Sequence, residues 1–194
     1  MKLILAQGNP ESRYAATRHN VGFILADTLA RTHGASWVEK TKFHAHIAEL
    51  SIHGEKVLLA KPTTYYNETG RSARAIVDFY KLDPMSDVLV IHDDLALPLG
   101  SLRVRSSGSD AGNNGIKSLN SHIGQQYKRL RVGIWNKIRD QQHDVDFVLG
   151  AISKHEEATL KEQLPSIASI AEDFAKGTLS DTTQVLQEKE SPAK

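Results

Sequence analysis

The chain of 194 residues contains no cysteine. That removes disulfides, thiolate metal centres and a cysteine nucleophile together, and it fits a reducing compartment; the expected location is the cytoplasm. No apolar run approaches the roughly 20 residues that a bilayer-crossing helix requires, so no membrane span is expected. A charge excess of either sign is missing as well. Lys and Arg number 24 against 23 Asp and Glu, a formal net charge of +1, so no global field favours a polyanion and any nucleic-acid affinity has to come from local clustering. The short apolar opening around Leu3 to Ala6 is not followed by a cleavage pattern, and it reads as a first buried strand rather than a signal peptide.

What is present is ordinary for a globular domain: 40% hydrophobic and 24% charged residues. Strand-like runs alternate with helix-period segments, the pattern of a layered α/β fold. After the first strand, Asn20 is placed to cap a helix whose apolar face is Val21, Ile24, Leu25 and Leu29, with Gly34 ending it. Phe43 to Ile52 alternates as a strand, and His53-Gly54 turns it into Val57 to Lys61. Ala73, Ile76, Val77 and Tyr80 mark a second helix, stopped before Pro84. Val88 to His92 has the near-continuous apolarity of a strand buried on both faces. Leu102 to Arg105 and Leu130 to Trp135 are further strands, with a helix from about Asn114 to Ile123 between them. Ser153 with Glu156 makes a capping box for a last helix running to about Lys176 and Gly177, kinked or broken by Pro165. The reading is a single α/β domain over residues 1–177, with a twisted, mixed, mostly parallel sheet flanked by helices, and a polar tail over 178–194 that is partly ordered and frays.

The stretch Gly8-Asn9-Pro10-Glu11 to Thr17-Arg18-His19-Asn20-Val21-Gly22 lies between a buried strand and a helix, where α/β proteins place their working groups. It delivers His19, a side chain whose ordinary pKa suits a base near neutral pH, although it is one of nine histidines and nothing local marks it out. Read with four further blocks, the stretch resembles the bacterial peptidyl-tRNA hydrolases. The blocks are Lys61-Pro62-Thr63-Thr64-Tyr65-Tyr66-Asn67-Glu68-Thr69-Gly70, His92-Asp93-Asp94 with Leu97-Pro98-Leu99-Gly100, Gly112-Asn113-Asn114-Gly115-Ile116-Lys117-Ser118 with Arg129 to Ile134, and Phe147-Val148-Leu149-Gly150. Five blocks in the family's order, spanning Leu3 to Gly150, make a specific signature.

The resemblance implies an esterase that frees tRNA from a peptide without a metal or cofactor, with peptidyl-tRNA as its partner and a monomer as its working form. It implies that His19 activates water, that Asp93 orients His19 and stabilises the imidazolium, and that Asn9 stands near the chemistry. Asn67 and Asn114 match positions that hold the peptide backbone, a task amides perform without competing for the proton. Tyr14 and Tyr65 would wall the cleft. Arg103, Arg105, Lys117 and Arg131, in a region that also holds Lys128 and Arg129, would meet tRNA phosphates, with one of Arg103 or Arg105 joining Arg131 on the 5′ phosphate.

Other readings of the same residues are weaker. Asp93-Asp94 could serve a magnesium ion, but the flanking family pattern puts one of these acids to histidine work, and His44 and His46 would share one face of a strand at metal-ligand spacing with no third ligand in view. Gly112 to Ser118 ends like a phosphate-binding loop, yet Ile116 and Ala111 occupy the positions where that loop needs glycine. The alternative function is a non-catalytic RNA-binding module on the same scaffold, for which the His19 and Asp93 pair would be idle. The chain also departs from the family pattern near the site. Gln7 stands for leucine, Glu11 for glycine, Tyr66 for methionine, Thr69 for serine and Asn113 for a frequent histidine. Trp135-Asn136-Lys137 replaces a glycine-basic-proline run, and Asp110 and Glu11 add negative charge where RNA should pass.

Overall fold

Alternation inside the apolar runs divides the interior in two. The computed structural model describes residues 1–185, and in it β1 (Lys2–Ala6) sends Leu3 and Leu5 to one face of a sheet and Ile4 to the other. All three are fully buried, so the run has no polar side to show. β4 (Glu55–Pro62) and β5 (Val88–Pro98) behave alike: Leu58, Val88 and Val90 join Leu3 and Leu5, whereas Leu59, Leu89 and Ile91 join Ile4.

Eight strands form one sheet in the order β2-β3-β4-β1-β5-β7-β6-β8. The further strands are β2 (Val38–Lys40), β3 (Ala45–Ile52), β6 (Leu102–Arg105), β7 (Lys128–Trp135) and β8 (Thr182–Gln184). The four central strands β4, β1, β5 and β7 are parallel, and both flanks are antiparallel hairpin-like additions. On the face carrying Leu3 and Leu5 lie α2 (Thr69–Tyr80) and α4 (Asn114–Ile123), which bury Ala73, Ile76 and Leu119. The other face is covered by α1 (Val21–Thr32), α6 (Lys154–Glu162) and α7 (Leu164–Lys176), through Leu25, Leu160 and Phe174. Short helices α3 (Pro84–Asp87) and α5 (Asp144–Leu149) complete the set.

Several expectations need correction. The strand expected from Phe43 starts at Ala45, because Thr41–Phe43 is a 3-10 turn and His44 takes a left-handed backbone, φ 48°. His44 and His46 therefore do not share a strand face. Asn20 precedes α1 but makes no capping bond; its amide is committed to Asn9 instead. The strand expected to end at His92 continues to Pro98, its ladder with β7 holding register through Asp94 and Gly133. Pro165 produces a break: α6 ends before Gln163, and proline takes the first turn of α7, where its missing N–H leaves no bond unmade. The capping box of Ser153 and Glu156 is present. The tail, expected to fray from Thr178, returns as β8 against β6, while residues 186–194 lie outside the described ones.

Candidate active site

β1 and β5 are parallel neighbours, so their carboxyl ends open at the same edge of the sheet. The loop after β1 carries His19, and β5 carries Asp93. Gly22 brings the two together: a Cβ there would stand 2.5 Å from the Gln7 carbonyl oxygen and 2.8 Å from that of Ile91. Only a bare backbone lets the start of α1 lie against both strand ends, which places His19, three residues earlier, over Asp93.

Arg18 anchors the same loop from the other side. Its Nε and Nη2 donate to the two Glu156 oxygens at 2.6 and 3.0 Å, and Nη1 donates to the Phe147 carbonyl at 3.1 Å. Glu156 also accepts from Asn136 Nδ2 at 2.9 Å and from the Ser153 N–H at 2.8 Å. Burial alone would raise the Glu156 carboxyl; Arg18 and Ser153 outweigh it and hold the group below its ordinary value of 4.5.

His19 Nδ1 lies 2.8 Å from Asp93 Oδ2, with the carboxylate side chain only 3% exposed. The second oxygen, Oδ1, accepts the Tyr66 hydroxyl proton at 2.7 Å. The Tyr66 ring stacks on the imidazole, centroids 3.6 Å apart and planes 17° apart. Burial pushes the Asp93 carboxyl up, but the charge and hydrogen bond of His19 and the Tyr66 hydroxyl bring it below its ordinary 3.8, so it is an anion at neutral pH. Burial, then the Asp93 charge, drives the Tyr66 phenol well above its ordinary value, against the smaller opposing pull of Asn113. Tyr66 is thus a neutral donor. Asp94, one residue on, points to the opposite face of the strand and pairs with Arg131 Nε at 2.5 Å. The two carboxylates serve different partners and do not converge, and among the described residues no three His, Cys, Asp or Glu side chains gather as metal ligands.

A cleft of about 820 Å³ opens over the pair. Asn9, Tyr14, His19, Asn67, Asp93 and Asn114 all line it, as the sequence led one to expect. Asn9 Oδ1 accepts from the Tyr66 N–H at 3.0 Å, and the Asn20 amide brackets the Asn9 backbone at 2.8 and 2.9 Å, so the Asn9 side chain is held firmly at the cleft wall. Tyr65 is the exception. It is 56% exposed and lines a separate cavity of about 450 Å³ with Pro10, Glu11 and Arg71. Its neighbour Tyr66, 4% exposed, is the tyrosine inside the site.

The basic residues sort by register. Arg103 pairs with Arg131, and Arg105 with Arg129, across the antiparallel β6 and β7 ladder, which puts four guanidinium groups on one sheet face. Arg105, Arg129 and Arg131 line the cleft, joined by Arg139 from the facing loop; Arg103 and Lys117 do not reach it. Arg105 also donates to the Thr182 carbonyl at 3.1 Å, tying β8 down, and Arg129 donates to the Ser109 carbonyl and Asn120 Oδ1 at 2.8 and 3.0 Å. Arg129 lay within the basic segment but had not been singled out, and a strand register is what assigns it. Asp110 lines the cleft, whereas Glu11 is paired with Arg13 at 2.8 Å, outside it.

Comparison with known proteins matches this architecture. Residues 3–194 fit the family profile described as peptidyl-tRNA hydrolase. A Synechocystis protein of that name is 47% identical over 164 residues, 84% of each chain, and one from Fusobacterium nucleatum is 45% identical over 167 residues, 86% of this chain and 85% of its own. The crystal structure of peptidyl-tRNA hydrolase from Acinetobacter baumannii superposes with a TM-score of 0.83 at 32% identity, covering 91% of this chain and 89% of that one. A match over nearly the whole length, with relatives this similar, establishes that the chain belongs to the peptidyl-tRNA hydrolase family.

Proposed function

We propose that the chain hydrolyses the ester between a peptide and the terminal ribose of tRNA, with His19 as general base and Asp93 as its orienting carboxylate. The observation that carries this reading is the 2.8 Å contact of His19 Nδ1 with a buried, ionised Asp93 at the floor of a polar cleft. The carboxylate accepts the Nδ1 proton, so the lone pair is left on Nε2, toward the cleft. Nε2 takes a proton from water as the water oxygen attacks the ester carbonyl. The resulting imidazolium is stabilised by Asp93, and its proton passes to the ribose oxygen as the carbon–oxygen bond breaks. Free carboxylic acid and tRNA leave, and the imidazole is neutral again.

Amide donors suit the oxyanion of that step, because they donate without titrating. Asn9, pinned at the wall of the same cleft as His19, is assigned to the chemistry, and the exposed amides of Asn67 and Asn114 are available to peptide carbonyls. Tyr14 walls the cleft, and Tyr65 would meet substrate only beyond it. Phosphates of the acceptor end fit the arginine face, with Arg105, Arg129 and Arg131 in the cleft, Arg103 beside Arg131 in the ladder, and Lys117 outside the cleft lining.

The family resemblance points to a monomer as the working unit. A substrate made by translation supports action in the cytoplasm, and no described helix is long and apolar enough to cross a membrane. The test is hydrolysis of an N-blocked aminoacyl-tRNA beside the unblocked one, by the wild type and by His19→Ala. The wild type cleaves the blocked ester and spares the free one; His19→Ala binds tRNA and turns over neither. Full turnover by His19→Ala would overturn the assignment.

A further inference from the structure

Resting on the His19 and Asp93 pair as the reacting groups, we propose that Tyr66 is a positioning residue that fixes both members at once. Its ring sets the plane of the imidazole, and its hydroxyl occupies the Asp93 oxygen that His19 does not use. The stack at 3.6 Å shields one face of the imidazole from water, and the 2.7 Å bond leaves Asp93 no oxygen free to rotate toward another partner.

The polarity of this arrangement is fixed. Asn113 Oδ1 accepts from the Ile116 N–H at 3.0 Å, capping α4, so its Nδ2 must face Tyr66, to whose hydroxyl oxygen it donates at 3.0 Å. A phenol has one hydrogen, and with Asn113 donating to its oxygen that hydrogen goes to the carboxylate. A four-membered chain results, from Asn113 through Tyr66 and Asp93 to His19. Methionine, common at this position in the family, has no hydrogen to give Asp93.

Three of the other departures from the family pattern, Gln7, Thr69 and Asn113, gather around the same residue. Thr69 Oγ1 donates to Gln7 Oε1 at 2.9 Å and lies 3.2 Å from the Tyr66 carbonyl oxygen. A Cβ on Gly115 would stand 2.4 Å from the Tyr66 ring and 2.8 Å from Gln7 Oε1, so the tyrosine is accommodated by bare backbone at the start of α4. Gln7, Tyr66, Thr69 and Asn113 are far apart in sequence and form one packed group behind the reacting pair.

The chemistry has a sign. Donation to Oδ1 draws electron density from Asp93, so the carboxylate supports an imidazolium less than it would without the phenol. Tyr66→Phe keeps the ring and removes the donor. The acid limb of its kcat/KM profile, measured on N-blocked aminoacyl-tRNA, should move up by about half a pH unit with KM little changed. Tyr66→Met removes the stack too, and should add a fall of about tenfold in the plateau kcat. Asn113→Ala leaves the ring in place and makes the phenol a poorer donor, moving the limb the same way by less. The charged and titratable groups facing the pair are His92 and Asp94 on β5, Arg105 on β6, Arg129 and Arg131 on β7, Tyr14 and Asp110 on the flanking loops, and Arg139 and Asp144 across the cleft. All are untouched in these variants, so a moved limb belongs to the Tyr66 chain.

An acid limb at the wild-type pH in Tyr66→Phe, or in Asn113→Ala should Tyr66→Phe fail to fold, overturns the proposal. If His19→Ala is inactive while that limb is unmoved, only the role of Tyr66 falls. If His19→Ala is active, the reacting pair falls with it.

Discussion

Asp93 has two oxygens, and the site uses both, one on His19 and one on Tyr66. Asp93→Asn should therefore cost more than a hydrogen bond. An amide cannot support the imidazolium, and its NH₂ competes for the tautomer, so kcat should fall by about 10² to 10⁴-fold while tRNA affinity is unchanged. Rapid-quench turnover with a binding titration checks both halves. Glu156 gives a stability counterpart. Its carboxyl is held below 4.5 in the fold, so its stabilisation is complete above that pH and is lost as pH falls through the lowered value. Glu156→Gln leaves Arg18 buried without a counter-charge, and should cost about 3–5 kcal/mol at neutral pH by denaturant unfolding while flattening the acid-unfolding curve. At this scale the family resemblance of the sequence blocks pointed to His19, Asp93 and the three asparagines, and the fold brings all five to one cleft. The sequence did not disclose what Tyr66 or Asn20 bind, since a hydroxyl partner 27 residues away, or an asparagine turned from a cap to another asparagine, depends on how loops pack.

Elements that owe their form to local chemistry were the readable ones. The capping box of Ser153 and Glu156 and the break at Pro165 follow from neighbours a few residues apart. β8 does not. Thr182–Gln184 is polar and short, and it is a strand only because β6 presents an open edge and Arg105 reaches across it. β5 was foreshortened in the sequence reading because Asp93 and Asp94 look like an end to an apolar run, whereas pairing with β7 carries the strand through them. The start of α1 is the element most exposed to a small change. Gly22→Ala should press a methyl group on two carbonyl oxygens, destabilise the protein by about 1–3 kcal/mol and lower kcat by moving His19 off Asp93. A thermal melt and a turnover assay on the same sample measure the two effects, and an unchanged kcat would mean that α1 does not set the position of the base.

Over the whole molecule, a net charge of +1 conceals an uneven distribution, with four arginines on one patch of β6 and β7. Asp94 already answers Arg131, so the patch carries less excess charge than its four arginines alone would give. The double variant Arg105→Ala with Arg131→Ala should weaken tRNA binding and reduce the slope of log K against log salt by about 1–2; an unchanged slope would take both off the RNA path. The position of β1 has a further consequence. It lies between β4 and β5, with Leu3 opposite both Leu58 and Val88, so the centre of the sheet is built from segments distant in the chain. Local contacts cannot assemble such a centre early, and closing it costs the entropy of long loops before any pairing repays it. A nascent chain that has not yet exposed β5 leaves the apolar β1 with one edge open, and an unpaired apolar edge is prone to pair with other chains. A chain interrupted before residue 98 would be left with that edge open.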